Sequence, residues 1–173
     1  MGDKSGKAEI VIDSKGRSHY NLYQTYGTTC GPTCAAMVLY YNKQSGCKIN
    51  ADVGIKDILG WDEGFGVSRG TLAENMKNKL GISCELKVVD SRTSLFETLR
   101  GCVTWRTPAI VELDHSWLTM GHYAVCHAID ADGTCVFLDP ASGLQEMRKE
   151  KFPFFRFNPQ GKFFFSGGVI ITR

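Results

Sequence analysis

The sequence predicts an α+β protein whose antiparallel sheet lies mostly in its second half. Segments with helical patterning run from Pro32 to about Gly101. From Pro108 onward, short apolar runs alternate with tight turns, the best of them Asp130-Ala131-Asp132-Gly133-Thr134. Helices first and consecutive hairpin strands afterwards are the signature of segregated α and β structure. The totals agree: 173 residues, 43% hydrophobic and 22% charged, suit one globular domain with its own core. The chain reads as one domain over residues 1–173, with room for a longer parent chain.

Ala8–Asp13 and His19–Gln24, separated by SKGRS, predict a hairpin. Pro32 to about Lys43 predicts a helix from Ala35, Ala36, Met37 and Leu39. Its proline sits in the first turn, where a missing N–H does no harm. Asn50 is expected to cap a short helix through Ile58. Thr71 and Glu74 have capping-box spacing, Leu72, Met76 and Leu80 form an apolar stripe, and Gly81 follows as a stop. Ser94 and Glu97 repeat that spacing before Leu95, Phe96 and Leu99, with Gly101 ending the helix. Strands are predicted at Pro108–Leu113, Gly121–Asp130, Thr134–Asp139, Leu144–Lys149 and Gly168–Thr172.

Side chains alternate along the strand from Gly121 to Asp130. His122, Ala124, Cys126 and Ala128 share one face, and their small size marks it as the face to receive a helix. His122 would then stand at the start of a strand, next to that helix.

Net charge is +2 and the basic residues are scattered, so the footprint of a nucleic-acid binder is missing. The longest apolar runs, such as Phe163–Phe165 and Val169–Ile171, are far too short to span a bilayer. The polar N-terminus, MGDKSGKAE, has no secretory pattern, and the localisation stays open. Seven cysteines, at 30, 34, 47, 84, 102, 126 and 135, are an odd number and do not suggest a disulfide framework.

Cys30, in QTYGTTCGPTCAAMVL, falls where a helix begins. A cysteine attacks as its thiolate, which a helix N-terminus and a nearby imidazolium both favour. His122 supplies the imidazole if the sheet packs on that helix. A carboxylate must orient it, and Asp139, ending the neighbouring strand, is in reach. The backbone N–H of Cys30 and the amide of Gln24, six residues upstream, are candidate donors to an oxyanion. Gly31 is read as keeping the approach to the sulfur open.

QTYGTTCGPTCAAMVL, GHYAVCHAID and FLDPASG together resemble the papain-like cysteine peptidases that process bacteriocin leaders, and their free-standing relatives. The resemblance runs over roughly residues 20–145. It implies a papain-like fold, with a central nucleophile-bearing helix packed on an antiparallel sheet. It implies Cys30 as nucleophile, His122 as general base and acid, Asp139 as orienting carboxylate and Gln24 as oxyanion donor. It implies a peptide or protein substrate and no cofactor. The chain departs from the pattern in three ways: it shows no transporter span, Thr29 stands where an Asp often precedes the cysteine, and the Phe-rich tail after Lys149 has no counterpart.

Other readings stay open. The same chemistry on a glutamine side chain would make the protein a deamidase or transglutaminase of the effector or toxin type, with an inhibitor or immunity protein as partner. A binding module without catalysis would use the segment Phe152–Phe165, which holds seven of the ten phenylalanines, or a zinc site from Cys30, Cys34, Cys126 and His127. That cysteine spacing lacks a second close ligand pair, so no metal is expected. Asp130 rivals Asp139 but also suits the turn that follows it, as does Asp132. His19, His115 and His127 have no motif around them and read as ordinary histidines. Trp117 and Gly121 are expected to line the substrate cleft.

Overall fold

The structure, a computed structural model, describes residues 4–43, 50–113, 121–152 and 162–173; the side chains of residues 113 and 162–166 lie outside that description. A hairpin of β1 (Ala8–Ile12) and β2 (Ser18–Leu22) opens the chain. Helices α1 (Cys30–Lys43), α2 (Ala51–Ile55) and α3 (Arg69–Leu80) follow, then β3 (Cys84–Ser91) and α4 (Arg92–Cys102). The remaining strands are β4 (Ala109–Leu113), β5 (His122–Ile129), β6 (Thr134–Asp139), β7 (Gly143–Arg148) and β8 (Lys162–Thr172). Among the described residues, six strands form one sheet in the order β3-β8-β4-β5-β6-β7, with every pairing antiparallel. The papain-like α+β architecture expected from the sequence is therefore the one observed.

The sheet separates two cores. On one side lie α1, the hairpin and α3, with Met37, Leu72, Met76, Ile110, Tyr123, Val125 and Ile170 buried together. On the other lies α4, with Leu95 and Leu99 against Val111, Ala124, Cys126 and Phe137. The first nine residues of α1, Cys30 to Val38, are all buried. A helix without a solvent stripe is the centre of its layer.

This corrects one sequence expectation. The small face of β5, with Ala124 and Cys126, receives α4; α1 packs on the face of Tyr123 and Val125. The reason is that α1 supplies the small side chains itself, Gly31, Cys34, Ala35 and Ala36, so the sheet fills the gap with larger ones. His122 still meets α1 because it is the first residue of its strand, at the end of the sheet where α1 begins.

Other differences are local. Helix α3 is capped by Ser68, whose side chain accepts from the Thr71 N–H, and not by a Thr71–Glu74 box. In α4 the box is Ser91 with Ser94, and the helix passes Gly101 to end at Cys102. Both true caps stand three residues before the expected ones, so each helix gains most of a turn. Asn50 precedes α2 in the left-handed region (φ 56°) but makes no side-chain cap. Gly81, with φ 63°, stops α3 as expected. Strand β3 was not anticipated. Trp117, His115 and Cys47 lie outside the described residues, as does most of the Phe-rich segment; Phe152 is buried edge-on against Phe137.

Candidate active site

Cys30 is the first residue of α1, so its N–H has no acceptor within the helix. Its side chain is nearly buried, 8% exposed, and lines a cavity of about 490 Å³. His122, Gln24, Gly121, Glu112, Phe65 and Ala141 also line that cavity.

His122 opens β5 and Asp139 closes β6, and the two strands are hydrogen-bonded neighbours. The His122 Nε2 lies 2.9 Å from Asp139 Oδ1. That leaves Nδ1 for the Cys30 thiol, which is within hydrogen-bonding reach of the ring. Burial by itself would lower the pKa of this imidazole. The Asp139 hydrogen bond and the nearby Cys30 sulfur outweigh burial and raise it to about 9. Burial would raise the Asp139 carboxyl, but the His122 bond and the Ala141 N–H hold it below its ordinary value. Asp139 Oδ1 accepts from the N–H groups of Ala141 (2.7 Å) and Ser142 (3.3 Å), which pins the carboxylate against its own loop. Gly143 completes the loop at φ 89°, and a Cβ there would lie 2.7 Å from the Tyr23 hydroxyl. The glycine after Asp139-Pro140 thus has a steric cause.

Gln24 is tied to the same loop through its N–H to the Pro140 carbonyl (3.0 Å). Its side chain borders the cavity, but its amide is turned away from the expected duty. Nε2 donates to the carbonyls of Tyr26 and Gly27, both at 3.0 Å. The reverse orientation would set an oxygen against two carbonyl oxygens, so the assignment is fixed by chemistry. To serve an oxyanion, the amide must release one of those bonds.

Two glycines act differently from expectation or more specifically. Gly31 does not hold the approach open. It is buried, and a Cβ would lie 2.6 Å from Val67 Cγ1, so its role is to let the loop before α3 close over the start of α1. Gly121 does border the cavity, and a Cβ there would lie 3.1 Å from Glu112 Oε1.

Some site residues had no place in the sequence reading. Tyr123 donates its hydroxyl to the Val67 carbonyl (2.9 Å), joining the histidine strand to the loop over Gly31. Glu112 pairs with Arg69 at 2.6 Å beneath the cavity wall. A glutamate inside the apolar run Ala109–Leu113 was a readable signal. Phe65, 82% exposed, stands at the mouth. The rival sites disperse. Asp130 forms ion pairs with Arg17 (2.7 Å) and Lys15 (3.0 Å). Cys126 and His127 lie on opposite faces of β5, with Cys126 packed beside α4 and His127 beneath the Tyr41 ring of α1. Cys30 and Cys34 belong to the core around α1, so the four candidate zinc ligands do not converge.

A helix-borne cysteine thus stands beside a strand-borne histidine and aspartate on an antiparallel sheet. The sequence profile of the Peptidase_C39 like family matches residues 17–161, and the chain belongs to that family; it is a cysteine-type peptidase. None of the curated proteins matches it significantly. Among solved structures it is similar to a double glycine motif protease from an AMS/PCAT transporter in complex with the leader peptide. The TM-score there is 0.56 at 16% identity, over 98% of this chain and 94% of that one. It is also similar to the peptidase domain of Streptococcus mutans ComA, with a TM-score of 0.48 and 21% identity over 86% and 95%. UfSP from C. elegans matches with a TM-score of 0.56 at 11% identity, over 99% of this chain and 35% of that one.

Proposed function

We propose that the protein cleaves peptide amide bonds with Cys30 as nucleophile, His122 as proton carrier and Asp139 as its orienting carboxylate. The observation that carries this is the 2.9 Å His122–Asp139 bond at the cavity that also holds the Cys30 sulfur. A histidine raised to about 9 is protonated at neutral pH and suits a thiolate–imidazolium pair.

In this reading the sulfur attacks the carbonyl carbon and the C=O electron pair moves to oxygen. The Cys30 N–H and the Gln24 amide, once turned, receive that oxyanion. Collapse breaks the C–N bond, His122 gives its proton to the leaving amine, and a thioester remains. Water then loses a proton to His122 and attacks the thioester, and the C–S bond breaks to return the thiolate. No cofactor enters any step. For the substrate, the double glycine motif protease in complex with its leader peptide suggests a leader-type peptide carrying a double glycine motif.

Incubating the protein with such a peptide and following products by mass spectrometry tests this. Cleavage that falls more than about 10⁴-fold in Cys30→Ala is expected, since loss of a nucleophile removes the covalent route. Conversion of glutamine side chains without backbone scission would instead favour the deamidase or transglutaminase reading. Cleavage that persists in Cys30→Ala would defeat both.

A further inference from the structure

We propose that Asp52 is a positioning residue that holds the segment from Gln24 to Cys30 in register for catalysis. The proposal rests on the assignment of Cys30 and Gln24 given above. Asp52 comes from α2, is fully buried, and touches neither the cavity nor a reacting atom. Its Oδ1 accepts from Thr25 Oγ1 at 2.8 Å. Its Oδ2 accepts from the Thr25 N–H and from Thr29 Oγ1, both at 2.8 Å; Thr33 Oγ1, 3.3 Å away, gives its single hydrogen to the Thr29 carbonyl at 2.7 Å. All three donors lie on one short stretch. Thr25 follows the oxyanion donor and Thr29 precedes the nucleophile.

The other buried carboxylates each face a group that can carry positive charge. Asp13 has Arg17 and His19, Asp130 has Lys15 and Arg17, and Asp139 has His122. Among the described residues, Asp52 has no such partner. A carboxylate withdrawn from water without a cation is costly unless its oxygens are filled by hydrogen bonds. Here they are filled only if Thr25 and Thr29 keep their places, so the buried carboxyl group demands one backbone path from 25 to 29. A neutral amide at 52 offers one acceptor oxygen, not two, and relaxes that demand. The support behind Asp52 is also built. Asn50 gives its N–H to the Gly6 carbonyl (2.9 Å), and Ser5 Oγ donates to the Thr25 carbonyl (2.8 Å), so residues 5–6, 25 and 50–52 form one unit.

The test separates oxyanion geometry from thiol reactivity in the full chain. Acetyl-Gly-Gly-aldehyde adds reversibly to a cysteine sulfur: the C–S bond forms and the aldehyde oxygen takes the electron pair, so its affinity reads the oxyanion donors. Iodoacetamide alkylates the same sulfur without needing them. For Asp52→Asn, aldehyde inhibition is expected to weaken by about 10- to 100-fold, the scale of a small misplacement of catalytic groups, while alkylation of Cys30 stays within about threefold. Thr25→Val, which loses only the Oδ1 bond, is expected to give a smaller loss of the same kind. Unchanged inhibition in a folded Asp52→Asn protein overturns the proposal. So does a parallel fall of inhibition, alkylation and thermal midpoint in both variants, which would mark a merely structural role. A wild-type protein whose Cys30 is alkylated but does not bind the aldehyde would sink the active-site reading instead, a result distinct from either.

Discussion

Two buried histidines on one strand meet opposite fates. His122 and His127 are five residues apart on β5, and both are withdrawn from water. His122 is raised to about 9, while His127 is pushed down to about 3. Burial acts against the charged form of each. The difference lies in the partners. His122 has a carboxylate and a thiol. His127 Nε2 has the Trp105 carbonyl (3.1 Å), and its Nδ1 lies 2.7 Å from Nδ1 of His19, with Arg17 nearby adding positive charge. A carbonyl accepts only from an N–H, so His127 carries its proton on Nε2 and accepts at Nδ1. His19 donates there, and its Nε2 faces Asp13 at 2.9 Å. One end of the strand favours a protonated imidazole, and the other a neutral one.

The contrast breaks most sharply at Asp139. Asp139→Asn removes the charge that raises His122, so the imidazole should lose its proton at lower pH. The alkaline limb of the pH–rate profile, expected near 9 in the wild type, should move toward acid. Peptide cleavage at neutral pH should fall by about 10³- to 10⁴-fold, as when other hydrolytic triads lose their carboxylate. An unmoved alkaline limb would mean that another group governs it.

Gly143→Ala sharpens the comparison from the side of the loop. It forces a side chain to φ 89° and against Tyr23, and should cost about 1–3 kcal/mol in denaturant unfolding. It should also lower cleavage through Asp139 while leaving the His127 end untouched. A variant as stable as the wild type would show that the loop adapts freely.

The smallest effect should come from the other end. Because the folded state holds His127 neutral, the unfolded chain binds a proton below its ordinary pKa of 6.5 that the folded chain refuses. Stability from this group is complete above 6.5 and is lost as pH falls toward 3, at up to about 1.4 kcal/mol per pH unit. Asp13, whose carboxyl is held below its ordinary value by His19 and Arg17 against the effect of burial, adds a similar loss only below about 4. Between pH 6.5 and 4, His127→Gln should therefore flatten the dependence measured by urea unfolding. Identical slopes for the two proteins would refute the assignment.

Much of the site was legible because Cys30, His122 and Asp139 each sit in a compact stretch with its own local logic: a helix start, a strand start and a strand end. What stayed hidden is tertiary. Strand alternation gives two faces of β5 but not which one meets α1. That depended on α1 carrying Ala35 and Ala36, which moved the larger residues to the sheet. Asp52 carries no local mark, since its partners lie 23 to 27 residues away. Strand β3 was readable in the alternation of Cys84, Leu86 and Val88 with Glu85 and Lys87. Half of it faces solvent and no turn signal isolates it from α4, so its pattern is weak.

The strand order has a consequence for synthesis. β8, made after every other strand of the sheet, is inserted between β3 and β4, which were made long before. Until it emerges, both of those earlier strands present an open row of backbone donors and acceptors to anything nearby. Closing the gap needs contacts between residues some 60 to 90 positions apart, a slow kind of search. On the ribosome, this peptidase spends its youth with a seam down the middle of its sheet.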